Sequence, residues 1–93
     1  MKKVLFENFL RSEKSITSEK GIQSRISKGF KVEKLVGRSL DSIVSNDKDT
    51  YLVLVKLSKD DHHGNLQNVV RKYYKFINEK EFPTLATYEK LFL

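Results

Sequence analysis

Apolar residues recur along this chain at spacings of three and four. The clearest run lies between Asn65 and Lys80, where Leu66, Val69, Val70, Tyr73 and Ile77 share one side of an α-helix. At about 100° per residue the same winding gathers Arg71, Lys72 and Lys75 on the opposite side. Such a helix has a stripe to bury against a core and a basic face to meet something negative.

The rest of the chain reads as further helices. Residues 3 to 13 place Leu5, Phe6, Phe9 and Leu10 on one face, with Glu7 and Arg11 as an i, i+4 pair on the other. Ser15 to Ser18 offers capping side chains, so a second helix is expected to begin at Thr17 or Ser18, with Glu19 in its first turn. Ile22, Ile26, Gly29 and Val36 form its apolar face with Phe30 at the edge, while Lys20, Lys28, Lys31 and Lys34 fall opposite, and Gly37 is placed to end it. Glu33 sits on the apolar face. It needs a cationic partner there, unless the helix bends near Gly29, and the partner is the favoured solution.

Thr50 to Leu57 has high β propensity, and periodicity alone does not assign so short an apolar run. Ser45 or Asn46 is a good N-cap, and Asp47 and Asp49 would lie in a first turn where the helix dipole favours acids. Residues 46 to 58 are therefore read as a helix, apolar nearly all round and expected to be the most buried element. Asn65 is expected to cap the basic helix, and Pro83 to sit in the first turn of a short final helix through Leu91. The pattern predicts one all-α domain over residues 1–93, a bundle of four to five helices. Its expected core is Phe6, Phe9, Ile22, Ile26, Leu52, Val55, Val69, Val70, Tyr73 and Ile77.

Charge narrows the partners. The net charge is +6, and it is uneven: Lys14 to Arg38 carries seven Lys or Arg against two Glu, and Asn65 to Lys80 four against one, whereas Asp41 to His63 is net acidic. Two basic segments favour a polyanion, although a solvated helix face has the same composition. The absence of cysteine fits an intracellular, cytoplasmic setting. The longest apolar run, Tyr51 to Val55, falls far short of the roughly 20 residues that span a bilayer, and Val4 to Phe6 is too short for a secretion signal. No membrane partner is expected.

Candidate chemistry is sparse. The histidines are the adjacent pair His62 and His63, whose side chains diverge, so even beside Asp60 and Asp61 a metal site is the less favoured reading than a solvated turn. Gly21, Gly29, Gly37 and Gly64 form no phosphate-cradling loop, and no nucleophile motif is present. No enzymatic activity, metal or cofactor is expected.

The order of features resembles the N-terminal core-binding domain of tyrosine recombinases and phage integrases. The resemblance rests on a first helix with Phe6-Glu7-Asn8-Phe9-Leu10, the capping run Ser15-Ile16-Thr17-Ser18 and the turn Ser39-Leu40-Asp41-Ser42-Ile43. A last helix beginning Asn65-Leu66-Gln67-Asn68-Val69-Val70-Arg71 completes it. It covers about residues 4 to 80. Where that family often has an aromatic residue four positions after the capping Thr, this chain has Gly21. The resemblance implies a SAM-like all-α fold, duplex DNA as partner, and a recombinase catalytic domain further along a longer parent chain. That domain's HxxR-type motif is not recognisable here, since neither histidine is followed by Arg at the required spacing.

Two functions remain open. One is a DNA-binding module holding phosphates through Arg25, Lys28, Lys31 and Lys34 and through Arg71, Lys72 and Lys75, with Arg71, Gln67 and Asn68 able to reach base edges. The other is a helical protein–protein interaction module of a mobile-element or defence system. For that second function Tyr74 and Phe76, flanking the core stripe, would supply an apolar contact patch.

Overall fold

Side-chain caps mark where most of the helices begin. In the computed structural model, which describes residues 1–13, 18–59 and 64–93, the chain winds α1 (Lys3–Ser12), α2 (Glu19–Val36), α3 (Leu40–Val44), α4 (Asp47–Ser58), α5 (Asn65–Asn78) and α6 (Leu85–Phe92). No strand occurs among the described residues. Ser18, Ser39, Asn46 and Thr84 each accept a hydrogen bond from the backbone N–H three residues on. Each bond satisfies one of the donors that a first helical turn leaves unpaired. Gly37 ends α2 in the left-handed region, with φ 77°, where its N–H donates to the Glu33 carbonyl.

The ambiguous segment 50–57 is helical, as the caps and first-turn acids argued. Thr50, fully buried, reinforces the start of α4 by donating to the carbonyl oxygens of Ile43 and Asn46 at 3.0 and 2.9 Å. The helix is nevertheless not the most buried element. Thr50, Val53, Leu54 and Leu57 face inward, Val55 is half-buried and Leu52 remains 52% exposed, because α3, α5 and α6 cover only part of its circumference. Leu52 and Val55 therefore leave the expected core.

The bundle closes around α5, which packs against α1, α2, α3 and α4, while α6 lies on α4. Phe6 meets Tyr73 edge-on at 4.9 Å and Phe76 at 5.6 Å, and Phe9 adds a fourth ring to this side of the core. On the other side Tyr74, Phe82 and Tyr88 form a second aromatic group. Phe6, Ile22, Ile26, Val69, Val70 and Tyr73 are buried as expected, and Phe9 and Ile77 pack half-buried against them. Val32, Leu40, Ile43, Val44, Tyr74, Phe82 and Tyr88 join them.

Glu33 has its cationic partner. The Met1 ammonium lies 3.0 Å from Glu33 Oε2 and 3.1 Å from Asp41 Oδ2. Leu40 N–H donates to the same Glu33 oxygen, and the Tyr73 hydroxyl donates to Asp41 Oδ1 at 2.6 Å while accepting from Lys2 N–H. The end of α1 is thus fastened to α2, α3 and α5 at one point. Gly29 makes room for it: a Cβ there would stand 3.1 Å from Met1 Sδ and 3.3 Å from Leu40 Cδ1.

Three local expectations are corrected. Gly64, with φ 70°, occupies the N-cap of α5 without a side-chain cap, so Asn65 is the first helical residue. Thr84 caps α6, which leaves Pro83 just outside it. Arg11 pairs with Glu19 at 2.7 Å instead of Glu7, whose carboxylate takes Gln23, because α1 and α2 run antiparallel and bring these side chains across the seam. Two expectations, for Ser15 to Thr17 and for the metal-binding potential of Asp60 to His63, fall outside the described residues.

Candidate nucleic-acid interface

A cleft of about 610 Å³ opens between α2, α5 and the segment joining α5 to α6. Arg25, Asn68, Arg71, Lys72 and Lys75 line it together with Glu81, Phe82 and Thr84. Two helices distant in sequence therefore bring four cations to one concavity. Low-dielectric walls concentrate such a field where an anion would enter.

The four cations are not equivalent. Arg71 is partly buried, and its Nη1 donates to the carbonyl oxygens of Phe82 and Pro83, both at 3.0 Å, with the guanidinium carbon 5.9 Å from the Phe82 ring centroid. Burial pushes the guanidinium below its ordinary pKa and Glu81 opposes that shift, yet an arginine stays charged. Arg71 is thus first an anchor for the chain entering α6. Lys72 Nζ lies 2.8 Å from Glu13 Oε1 and Lys75 Nζ 3.4 Å from the same oxygen. The hydrogen bond from Lys72 holds the Glu13 carboxyl below its usual range against the opposing effect of burial, and Lys75 adds to it. Arg25 Nη1 makes a 3.3 Å bond to the Gly21 carbonyl of its own helix.

Of the candidate DNA contacts, Arg25, Asn68, Arg71, Lys72 and Lys75 meet in the cleft, whereas Lys28, Lys31, Lys34 and Gln67 do not line it. Lys28 binds Ser24 Oγ at 2.6 Å. Lys31 and Lys34 are exposed. Nine residues of helix turn Lys34 about 180° from Arg25, so one flat ligand surface cannot touch both. Glu13, Glu81, Phe82 and Thr84 escaped the sequence reading because they lie at helix ends and in connections, where periodicity carries no signal.

Two further features bear on partners. Tyr74 is buried with its hydroxyl donating to Asp47, and burial, helped by that bond, raises its pKa to about 12, while Phe76 packs among Phe6, Phe9 and Tyr73. Neither forms the apolar contact patch that the protein-interaction reading asked of α5. No described helix is long and apolar enough to cross a membrane. No family model matches the chain, and neither a curated protein nor a solved structure matches it.

Proposed function

We propose that this chain is a non-catalytic DNA-binding module that engages duplex phosphates across the cleft between α2 and α5. The observation that carries the reading is the convergence of Arg25 with Lys72 and Lys75 on one concavity. A phosphate backbone carries a dense row of charges, and cations set along a groove displace its condensed counterions. Asn68, exposed at the same cleft, offers a donor and an acceptor to a base edge. The resemblance to the recombinase core-binding domain points the same way, and with it a catalytic domain in a longer parent chain.

The test replaces Arg25, Lys72 and Lys75 with Gln and spares Arg71, whose loss would disturb the approach to α6. Titration of a random-sequence duplex at several salt concentrations should show weaker binding by the triple variant. Its log–log salt slope should be smaller by about 0.9 for each phosphate that is no longer neutralised. A wild-type chain without salt-dependent binding, or a triple variant that binds equally well, would overturn the reading. A helical protein-interaction module would then be the better account.

A further inference from the structure

The basic face of α5 already holds an anion. Glu13, the residue that closes α1, sends its carboxylate across to α5, where Oε1 bridges Lys72 and Lys75 at 2.8 and 3.4 Å. Both lysines line the cleft, three residues apart on one helix face, and their ammonium groups are brought to a single oxygen. Two ammonium groups converging on one oxyanion form a seat that suits one phosphate oxygen as well as a carboxylate. Glu13 is 17% exposed, so its side chain can leave for solvent by rotation about its own torsions without any rearrangement of a helix.

We propose that Glu13 is a displaceable internal anion occupying a phosphate seat formed by Lys72 and Lys75. A backbone phosphate of the nucleic acid takes this seat when it binds, and the Glu13 carboxylate withdraws to water. The proposal rests on the DNA-binding reading of the cleft and adds a competition to it. Binding strength is then set partly by how firmly Glu13 holds the two lysines. A weak polyanion leaves Glu13 on the two lysines, while a dense one displaces it. A pair of half-exposed lysines sharing one carboxylate is worth little in water, so the competition is one that a phosphate can win.

The discriminating variant is Glu13→Gln, with Glu13→Ala as a second replacement should the first pack badly. Asp49→Asn is the matched control: it removes one negative charge and releases Arg38, to which Asp49 lies 3.1 Å away, at a site that does not line the cleft. Binding of a random-sequence duplex is followed by fluorescence anisotropy at fixed low salt, and folding is checked by circular dichroism. Glu13→Gln should bind about five-fold tighter than wild type, the gain expected from removing a competing surface ion pair, and Asp49→Asn by less than about two-fold. In the wild-type complex the Glu13 carboxyl carbon, followed by NMR, should lose the lowered titration it has in the free protein. If wild type binds but both Glu13 variants bind no tighter, or the control gains as much, the phosphate seat is refuted while the DNA reading stands. If neither the wild type nor any variant binds, the DNA reading falls and takes the seat with it.

Discussion

Removing one oxygen atom, by Tyr73→Phe, tests the polar hub at the end of α1. The ring of Tyr73 is fully buried against Phe6 and Phe76, so phenylalanine keeps the packing. The hydroxyl makes two bonds that phenylalanine cannot: a 2.6 Å donation to Asp41 Oδ1 and a 2.8 Å acceptance from Lys2 N–H. A bond to a charged acceptor is worth about 1.5–3 kcal/mol and a neutral one about 1 kcal/mol. Asp41 is 34% exposed and keeps the Met1 ammonium, so water can repay part of the loss. The expected destabilisation is then about 2 kcal/mol, or roughly a 10 °C fall in melting temperature for a domain of this size. Tyr74→Phe is the internal standard: it removes one bond, to the exposed Asp47 at 2.8 Å, and should lose about half as much. Acid sharpens the test. Burial works to raise the Asp41 pKa, but the Tyr73 hydroxyl and the Met1 ammonium outweigh it and hold the carboxyl below its ordinary 3.8. Its contribution is therefore present above that value and is lost as pH falls through the folded pKa. The gap between wild type and Tyr73→Phe in urea or thermal denaturation should narrow along that acid limb. A Tyr73→Phe variant no weaker than Tyr74→Phe, or a gap that ignores acid, would refute the reasoning.

Two other outcomes follow from the same side chains. Burial tends to lower the Met1 ammonium pKa, but the hydrogen bonds to Glu33 and Asp41 raise it above its ordinary 8.0, so its contribution is full below 8.0 and is lost as pH rises through the folded value. Denaturation midpoints should fall at alkaline pH, and a midpoint that rises there would contradict the clamp. Arg71→Lys keeps a positive charge but loses the planar fork that meets the Phe82 and Pro83 carbonyls, and it should lower stability by about 1–2 kcal/mol while speeding hydrogen exchange in α6. Unchanged exchange there would show that the fork does not hold α6.

Helix positions were legible where a cap and a stripe coincided. Asn46 with Asp47 and Asp49 outweighed the β propensity of residues 50–57, and Ser18 and Gly37 bracketed α2. The apolar stripe of α5 was read correctly at Val69, Val70 and Tyr73, but its width was not. Tyr74 is buried because the segment after α5 folds back and sets Phe82 against it. That is a tertiary fact with no trace in a 3.6-residue period. Leu52 failed for the converse reason, since an apolar helix at the rim of a bundle exposes whichever side lacks a neighbour. In the cleft, the basic residues of α5 were visible as a face, whereas their restraint was not. The partners of Arg71 are backbone carbonyls, and the partner of Lys72 and Lys75 lies about sixty residues away.

The fastening of α1 to α5 has a bearing on how the chain acquires its shape during synthesis. Phe6 and Leu10 are fully buried, and the rings that cover Phe6, Tyr73 and Phe76, are supplied by the last third of the sequence. A nascent chain with only α1 to α4 outside the ribosome has no α5 against which to seat them. Helix α1 can pack on α2 as soon as both have emerged, but the part of its apolar face that α5 covers, Phe6 above all, stays open until α5 follows, and closure of that long loop is the slow step that topology imposes.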